Sequence, residues 1–280
     1  MLNILVPTDY SPDAKNALLY ALNFAKQTQS NIIVHHTMPL AIVSTDVPFE
    51  NFYFNEDEEL QTLKESVNNY LESIKFGSHN IKISYYVNSD DNISSAINSA
   101  YKATNADVVI MGTHGASGFK KYLIGSNTSR LIAKYDIPVI AIPNEYKFEP
   151  IYHIVYASDL KNFVEELSLM IPIAKIFQAV LDVFYFDYAT DESEKLMLNA
   201  EKVISEHPYK NIKLTVKKGK LELPLSEQIL NNISYNNTQM IALFRGTQNW
   251  LDKLLTGSTS QQIVMDSRMP VFITKKVEQD

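Results

Sequence analysis

The residues best suited to chemistry form one glycine-rich segment, Met111–Thr128, which reads MGTHGASGFKKYLIGSNT. Its glycines recur as Gly112-x2-Gly115 and, nine residues later, as Gly125-Ser126. Glycines allow tight turns and let the backbone approach a ligand with no Cβ in the way. The segment follows an apolar run and opens a helical pattern, so free N–H groups and the helix dipole would favour a phosphate. The spacing therefore predicts a phosphate-binding loop.

Other polar residues would complete such a site. Lys120 and Lys121 lie within the loop, and Thr128 could add a hydroxyl donor, as could Ser126. Pro7-Thr8-Asp9 follows the first apolar run of the chain. Ser11 followed by proline reads as a helix N-cap. We therefore expect the carboxylate of Asp9 to be available to a ribose or a base, the alternative being a solvated loop carboxylate.

Several better-known motifs are absent from the sequence. It has no Gly-x4-Gly-Lys-Ser/Thr loop, no Gly-x-Gly-x2-Gly fingerprint and no histidine pair at i, i+4. It also lacks the Gly-x-Ser-x-Gly nucleophile elbow, so hydrolase chemistry is not indicated. His35 and His36 alternate along a buried strand, which favours hydrogen-bonded core or half-buried side chains. His114 is either a ligand contact or a surface loop histidine.

Alternating strands and helices must position these residues. Short apolar runs alternate with helical patterns through the first half, which predicts β-α-β-α-β-α-β-α-β and hence a parallel sheet with helices on both faces. In such a sheet ligands bind beyond the carboxyl ends of the strands, where the winding reverses. The strands predicted for this half are Leu2–Val6, Ile32–His36, Ile81–Val87, Val108–Met111 and Pro138–Ile142.

The same order restarts after a polar linker, residues 144–150. Thr8-Asp9 is echoed by Ser158-Asp159, and Gly125-Ser126 by Gly257-Ser258. Pro138 follows Ser126 by twelve positions, and Pro270 follows Ser258 by twelve positions. Separate landmarks in the same order favour duplication of one domain, with boundaries at 1–146 and 151–277. The last strands, Pro138–Ile142 and Pro270–Ile273, could pair at their edges, between halves or between chains.

Composition excludes several classes of protein. The chain of 280 residues has a net charge of −7, which argues against a general nucleic-acid surface. It has no cysteine, so thiol chemistry is excluded. The sequence shows no apolar run long enough to span a membrane and no signal-peptide pattern, so we expect a cytoplasmic protein. Val47–Glu59 is aromatic and then acidic without a period, which indicates a surface excursion or a lid over a ligand.

Strand–Pro7-Thr8-Asp9, His36 late in the second strand, and Met111-Gly112-x2-Gly115-x9-Gly125-Ser126 together resemble the universal stress protein family. The resemblance covers nearly the whole chain, as a tandem two-domain member, and is stronger in the first half. It implies two Rossmann-like α/β domains, each a five-stranded parallel sheet of order 3-2-1-4-5. It also implies that the chain binds ATP and leaves open whether Mg²⁺ accompanies it. The resemblance assigns the nucleotide to Pro7, Thr8, Asp9, Thr37, Met111, Gly112, His114, Gly115, Gly125, Ser126, Asn127 and Thr128.

The second half departs from this pattern. Counting back from Gly257 places Phe244 and Thr247 where the first half has Gly112 and Gly115, and Ala157 replaces Pro7. Side chains at these positions should block phosphates, so we expect this half to bind nucleotide poorly and to act as an intramolecular partner. A homodimer through the edge strands is a further possibility.

Three functional hypotheses follow. The first is a nucleotide-dependent binding or sensor module in a stress response, which acts on an unidentified protein partner and is not an enzyme. The second is slow ATP hydrolysis or phosphotransfer at the same site. The third is a structural interaction protein with an empty site.

Overall fold

The computed structural model describes residues 1–38, 55–77, 81–113, 126–234, 237–245 and 268–275. Within these ranges strands and helices alternate twice along the chain. The first half comprises β1 Asn3–Pro7, α1 Pro12–Thr28, β2 Asn31–Met38, α2 Glu56–Ser73, β3 Ile83–Ser89, α3 Ile93–Ala103, β4 Val108–Gly112, α4 Ser126–Lys134 and β5 Val139–Ile142. The second comprises β6 His153–Ala157, α5 Phe163–Phe177, β7 Val180–Asp187, α6 Ser193–Glu206, β8 Ile212–Lys218, α7 Leu225–Asn232, β9 Met240–Arg245 and β10 Val271–Lys275.

The ten strands form one continuous sheet in the order β3-β2-β1-β4-β5-β10-β9-β6-β7-β8. Each half thus has the predicted order 3-2-1-4-5, and its strands are parallel. The halves meet where β5 and β10 pair antiparallel, with Ile140 opposite Phe272. The α/β fold predicted from the sequence is confirmed, and the edge pairing of the last strands occurs between the two halves.

The central strands are apolar along their whole length because both faces of the sheet are covered. Ile4, Leu5 and Val6 of β1 are fully buried, and the four residues of β5 are buried as well. Such continuous apolar runs are typical of parallel strands between two helical layers. Most strands extend one or two residues beyond their apolar runs, because the hydrogen-bond ladder continues into polar positions such as Thr37 and Asn88.

Helix α2 begins earlier than its apolar pattern indicates. We expected a helix near Leu60–Ile74 and an aperiodic run before it, but the helix starts at Glu56. The Asn55 side chain caps it by accepting from the N–H of Glu58, and four acidic residues occupy its first turn. Negative charge at a helix N-terminus is stabilising, so the acidic run Glu56–Glu59 is helical. The remainder of the excursion, including the aromatic part of the suggested lid, lies outside the described residues.

Candidate functional site

The predicted crevice lies where β1 and β4 end side by side. The two strands pair with Leu5 opposite Val109, so Pro7 and Gly112 come to the same edge of the sheet. The winding reverses between these strands, because the chain runs outward from β1 through β2 to β3 and returns to β4. Polar segments at this point of an open α/β sheet lie where such folds bind ligands.

The turn from β1 to α1 is fixed by a set of short hydrogen bonds. The N–H of Thr8 donates to the carbonyl of His35 at 2.8 Å, and its hydroxyl accepts from the N–H of Tyr10 at 3.1 Å. Tyr10 has a φ of 63°, the left-handed region that a tight turn requires. Ser11 then caps α1 by accepting from the N–H of Ala14 at 3.2 Å, as predicted.

Asp9 is more constrained than the sequence suggested. We expected its carboxylate to be uncommitted because Ser11 supplies the cap. In the structure Oδ1 of Asp9 accepts from the N–H of Ser11 at 3.1 Å, which closes an Asx turn ahead of the helix. The residue is nevertheless exposed. A carboxylate oxygen has more than one lone pair, so Asp9 can hold the turn and still face the crevice.

The end of β2 adds a second polar wall. His35 is 1% exposed, and its Nε2 lies 2.9 Å from Oδ1 of Asn88 and 3.3 Å from the hydroxyl of Thr37. Burial lowers the pKa of His35 to about 4, so its ring is neutral at pH 7. His36 is half-buried, and its Nδ1 lies 2.8 Å from the carbonyl oxygen of Thr8. Both histidines are hydrogen-bonded, as expected for this strand.

Tyr10 is a residue of this region that the sequence analysis missed. Its ring lies 4.6 Å from that of His36, measured between centroids. Its hydroxyl is buried and has no hydrogen-bond partner among the described residues. Desolvation and the nearby charge of Glu59 raise its pKa. The feature of the sequence that could have indicated Tyr10 is its position directly after Pro-Thr-Asp, in the turn between β1 and α1.

Helix α4 starts close to the end of β4. The hydroxyl of Thr128, in its first turn, donates to the carbonyl of Gly112 at 2.9 Å. Thr128 is 2% exposed, so we assign this hydroxyl to positioning the helix, where we had expected a phosphate donor. Met111 is buried, while Gly112 and Asn127 are half-buried. Ser126 begins the helix; His114, Gly115, Lys120, Lys121 and Gly125 lie outside the described residues.

The second half repeats three hydrogen bonds of the first turn, but α5 has no side-chain cap like that of Ser11 on α1. The hydroxyl of Ser158 accepts from the N–H of Leu160 at 2.9 Å, and Oδ1 of Asp159 accepts from Lys161 at 3.0 Å. Leu160 has a φ of 61°, close to that of Tyr10. The N–H of Ser158 donates to the carbonyl of Phe184 at 3.0 Å, as that of Thr8 does to His35. The structure thus supports the internal repeat in its local geometry.

Strand register also places Phe244 where the first half has Gly112. Val109 pairs with Val139 and Ile241 pairs with Val271, so three residues further on Gly112 and Phe244 correspond. Phe244 is 1% exposed, and its ring packs edge-to-face on Tyr156 with 5.4 Å between centroids. The second half therefore has the benzyl side chain of Phe244 at the position where the first half has Gly112, which has no side chain.

These features define a tandem α/β protein whose two halves share one sheet and one turn geometry. A family model described as the universal stress protein family matches residues 1–143. The chain belongs to the universal stress protein family. The universal stress protein MJ0577 of Methanocaldococcus jannaschii is 27% identical over 156 residues, which is 50% of this chain and 93% of that protein.

Solved structures show the same fold over both halves. A universal stress protein from Archaeoglobus fulgidus superposes with a TM-score of 0.71 and 20% identity, covering 98% of each chain. A putative universal stress protein from Pseudomonas aeruginosa gives a TM-score of 0.60 and 16% identity, covering 98% of this chain and 93% of that one. The tandem arrangement is therefore shared with other structures of this length.

Within the parts of the chain that the structure describes, no helix is long and apolar enough to cross a membrane. In the same residues no group of three or more histidine or acidic side chains is arranged to hold a metal ion.

Proposed function

We propose that the first half binds an adenine nucleotide, ATP, at the carboxyl ends of β1, β2 and β4, and that the chain is a nucleotide-dependent binding module. The observation that carries the proposal is the convergence at one sheet edge of the Thr8–Asp9 turn and of Gly112, with Thr128 holding the start of α4 against the same strand end. This is the arrangement that a base, a ribose and a phosphate chain would need.

The described residues suit the parts of this ligand. The exposed carboxylate of Asp9 offers an acceptor beside the strand ends. The half-buried Gly112 leaves the backbone open to close approach. Free N–H groups in the first turn of α4 would bind phosphate, aided by the helix dipole. Asp9 would supply a carboxylate for an accompanying Mg²⁺.

We place the working boundaries of the two domains at 1–146 and 151–277. The first would carry the nucleotide, with His114, Gly115, Gly125, Ser126 and Asn127 contributing from the glycine-rich segment. The second would complete the sheet as an intramolecular partner, through the β5–β10 junction. The protein partner that responds to the bound nucleotide is a separate question, which pull-down with and without ATP addresses.

Binding is tested with the purified full chain. Nucleotide that co-purifies is identified by mass, and thermal unfolding is measured with and without added ATP. Saturation at 100 times Kd should stabilise the fold by about 2.7 kcal/mol. The Gly115→Asp, Gly125→Asp double variant should lose this shift. A chain that retains no nucleotide and shows no shift with ATP refutes the proposal.

The same samples distinguish binding from turnover. We propose that the module acts by holding nucleotide, so conversion of ATP to ADP should not exceed that of the double variant. Conversion well above that control would instead assign slow hydrolysis or phosphotransfer to the site.

A further inference from the structure

The second half contains a cavity of about 740 Å³ at the carboxyl ends of β6 and β7. Ligand-binding cavities in proteins are typically about 300–1,000 Å³. Its walls include the rings of Tyr185, Phe186 and Tyr188 together with Leu196 and Leu225. A cavity of this size and lining is large enough for a ring-bearing small molecule.

The cavity corresponds to the β1–β2 side of the nucleotide crevice in the first half. Pro7 pairs with His35 and Ala157 pairs with Phe184, so Tyr185 and Phe186 correspond to His36 and Thr37. Ser158 and Asp159, which also line the cavity, correspond to Thr8 and Asp9. The second half therefore keeps the crevice but replaces the polar β2 wall with aromatic side chains.

Hydrogen bonds hold the walls in place. The hydroxyl of Tyr185 donates to Oγ of Ser193 at 3.2 Å, and that of Tyr188 accepts from Nε2 of Gln228 at 3.2 Å. Ser158 donates to Oε2 of the buried Glu166 at 2.5 Å. These bonds fix the rings of Tyr185 and Tyr188 before any ligand arrives.

The charges of the lining oppose phosphate. Among the lining residues that the structure describes, Asp159, Asp191 and Glu192 contribute three carboxylates and Lys161 contributes one ammonium. Asp191 and Glu192 are exposed, as expected of side chains at the entrance. Phe244, moreover, stands at the strand end where Gly112 would let backbone approach a phosphate. An anionic ligand would meet repulsion, and a neutral one would not.

We propose that this cavity is a second ligand site, which takes a neutral ring-bearing molecule of the nucleoside class and discriminates against its phosphorylated form. The choice of a nucleoside as the ring compound rests on the proposed function of the first half. The cavity, its aromatic walls and its charge are observed independently of that function. The second half is then a binding domain in its own right, and its selectivity complements that of the first.

Adenosine and AMP are the probes, because they differ only in the phosphate. Each is titrated by calorimetry into the full chain with ATP present at saturation, which fills the first-half site. Adenosine should bind, and AMP should bind at least about tenfold more weakly because of the carboxylates. The Asp191→Asn, Glu192→Gln variant should reduce the difference in affinity between adenosine and AMP.

A matched pair of variants locates the binding. Leu196→Trp inserts an indole into the cavity and should weaken adenosine binding about tenfold or more. Leu198→Trp places the same ring on the same helix α6, where Leu198 is 60% exposed and away from the cavity, and should bind adenosine as wild type does. Leu225→Trp blocks the cavity from a different helix and guards against a folding defect in the first variant.

The outcomes separate this site from the first one. Equal adenosine affinity in the wild-type, Leu196→Trp and Leu225→Trp chains, or no adenosine binding at all, overturns the proposal. AMP that binds as tightly as adenosine overturns its selectivity. The ATP-induced thermal shift should be the same in the three leucine variants as in the wild type, because these variants leave the first half unchanged. The absence of this shift in the wild type would refute only the first-half function.

Discussion

At the scale of single residues, the paired turns give an internal control for the role of Asp9. Asp9→Ala removes both the turn bond to Ser11 and the carboxylate that we assign to the nucleotide. Loss of a hydrogen bond to a charged group should weaken ATP binding about tenfold to a hundredfold. Calorimetry with ATP measures it.

Asp159→Ala is the matched control, because it removes the equivalent turn bond, to Lys161, in the second half. Its ATP affinity should stay at the wild-type value. Equal losses of ATP affinity in both variants would mean that the effect comes from general destabilisation, and Asp9 would then have no direct role.

His35 makes stability depend on pH. Burial lowers its pKa from 6.5 to about 4, so the folded chain resists protonation that the unfolded chain accepts. Its contribution is complete above pH 6.5 and is lost as the pH falls towards 4. Between about pH 7.5 and pH 5 the free energy of unfolding should fall by about 2 kcal/mol from this residue.

Urea unfolding at the two pH values measures the loss. His35→Gln keeps an amide that can bond to Asn88 but cannot titrate, so its free energy of unfolding should depend less on pH by a similar amount. An NMR titration showing that the ring of His35 protonates near 6.5 in the folded chain would contradict the prediction.

At the scale of elements, Thr128 joins a helix to a strand end. Thr128→Val preserves the shape of the side chain but leaves the carbonyl of Gly112 without this donor. The change should lower the free energy of unfolding by about 1–3 kcal/mol. It should also weaken ATP binding, because the start of α4 is no longer hydrogen-bonded to the end of β4. Chemical unfolding and calorimetry measure the two effects.

Thr104→Val provides the comparison. Its hydroxyl also donates to a backbone carbonyl, that of Ala100 at 2.7 Å, but at the end of α3. This variant should leave ATP affinity unchanged. If Thr128→Val loses stability without losing affinity, the start of α4 does not contribute to the nucleotide site.

Most elements could be predicted from the sequence because the sheet is buried on both faces. Continuous apolar runs such as Ile4–Val6 leave little choice but a parallel strand. Strand β4, Val108–Gly112, extends the predicted run Val108–Met111 by one residue. The start of α2 could not be predicted from apolar spacing, since a side-chain cap and helix-dipole charge decide it.

The site was predictable in its place but not in its details. The order of strands sets where β1 and β4 end, and the family resemblance implied that order. The bond from Asp9 to Ser11 and the bond from Thr128 to Gly112 depend on turn geometry that residue types do not encode. The cavity in the second half was not predicted, because aromatic side chains in a strand such as β7 have the sequence pattern of an ordinary buried core.

At the scale of the whole molecule, the β5–β10 junction removes the edge that each half would otherwise expose. An open edge invites pairing with other chains, so covering it within one chain favours a single folded unit. The helical layers add to the junction: Phe24 of α1 and Phe177 of α5 pack edge-to-face with 5.0 Å between centroids. A ligand that stabilises one half should therefore also stabilise the other half against unfolding.

Hydrogen exchange with and without ATP tests this coupling. In the wild-type chain ATP should slow exchange in β6 and β9, which lie outside the proposed site, because opening of either half disrupts the shared sheet. Phe177→Ala should cost about 3–5 kcal/mol and reduce this protection by loosening the helical contact across the halves. Phe163→Ala, a similarly buried residue of the same helix at 2% exposure, should cost as much but keep the protection. If β9 exchanges at the same rate with and without ATP in a wild-type chain that binds ATP, the halves unfold independently and the junction serves only to cover their edges.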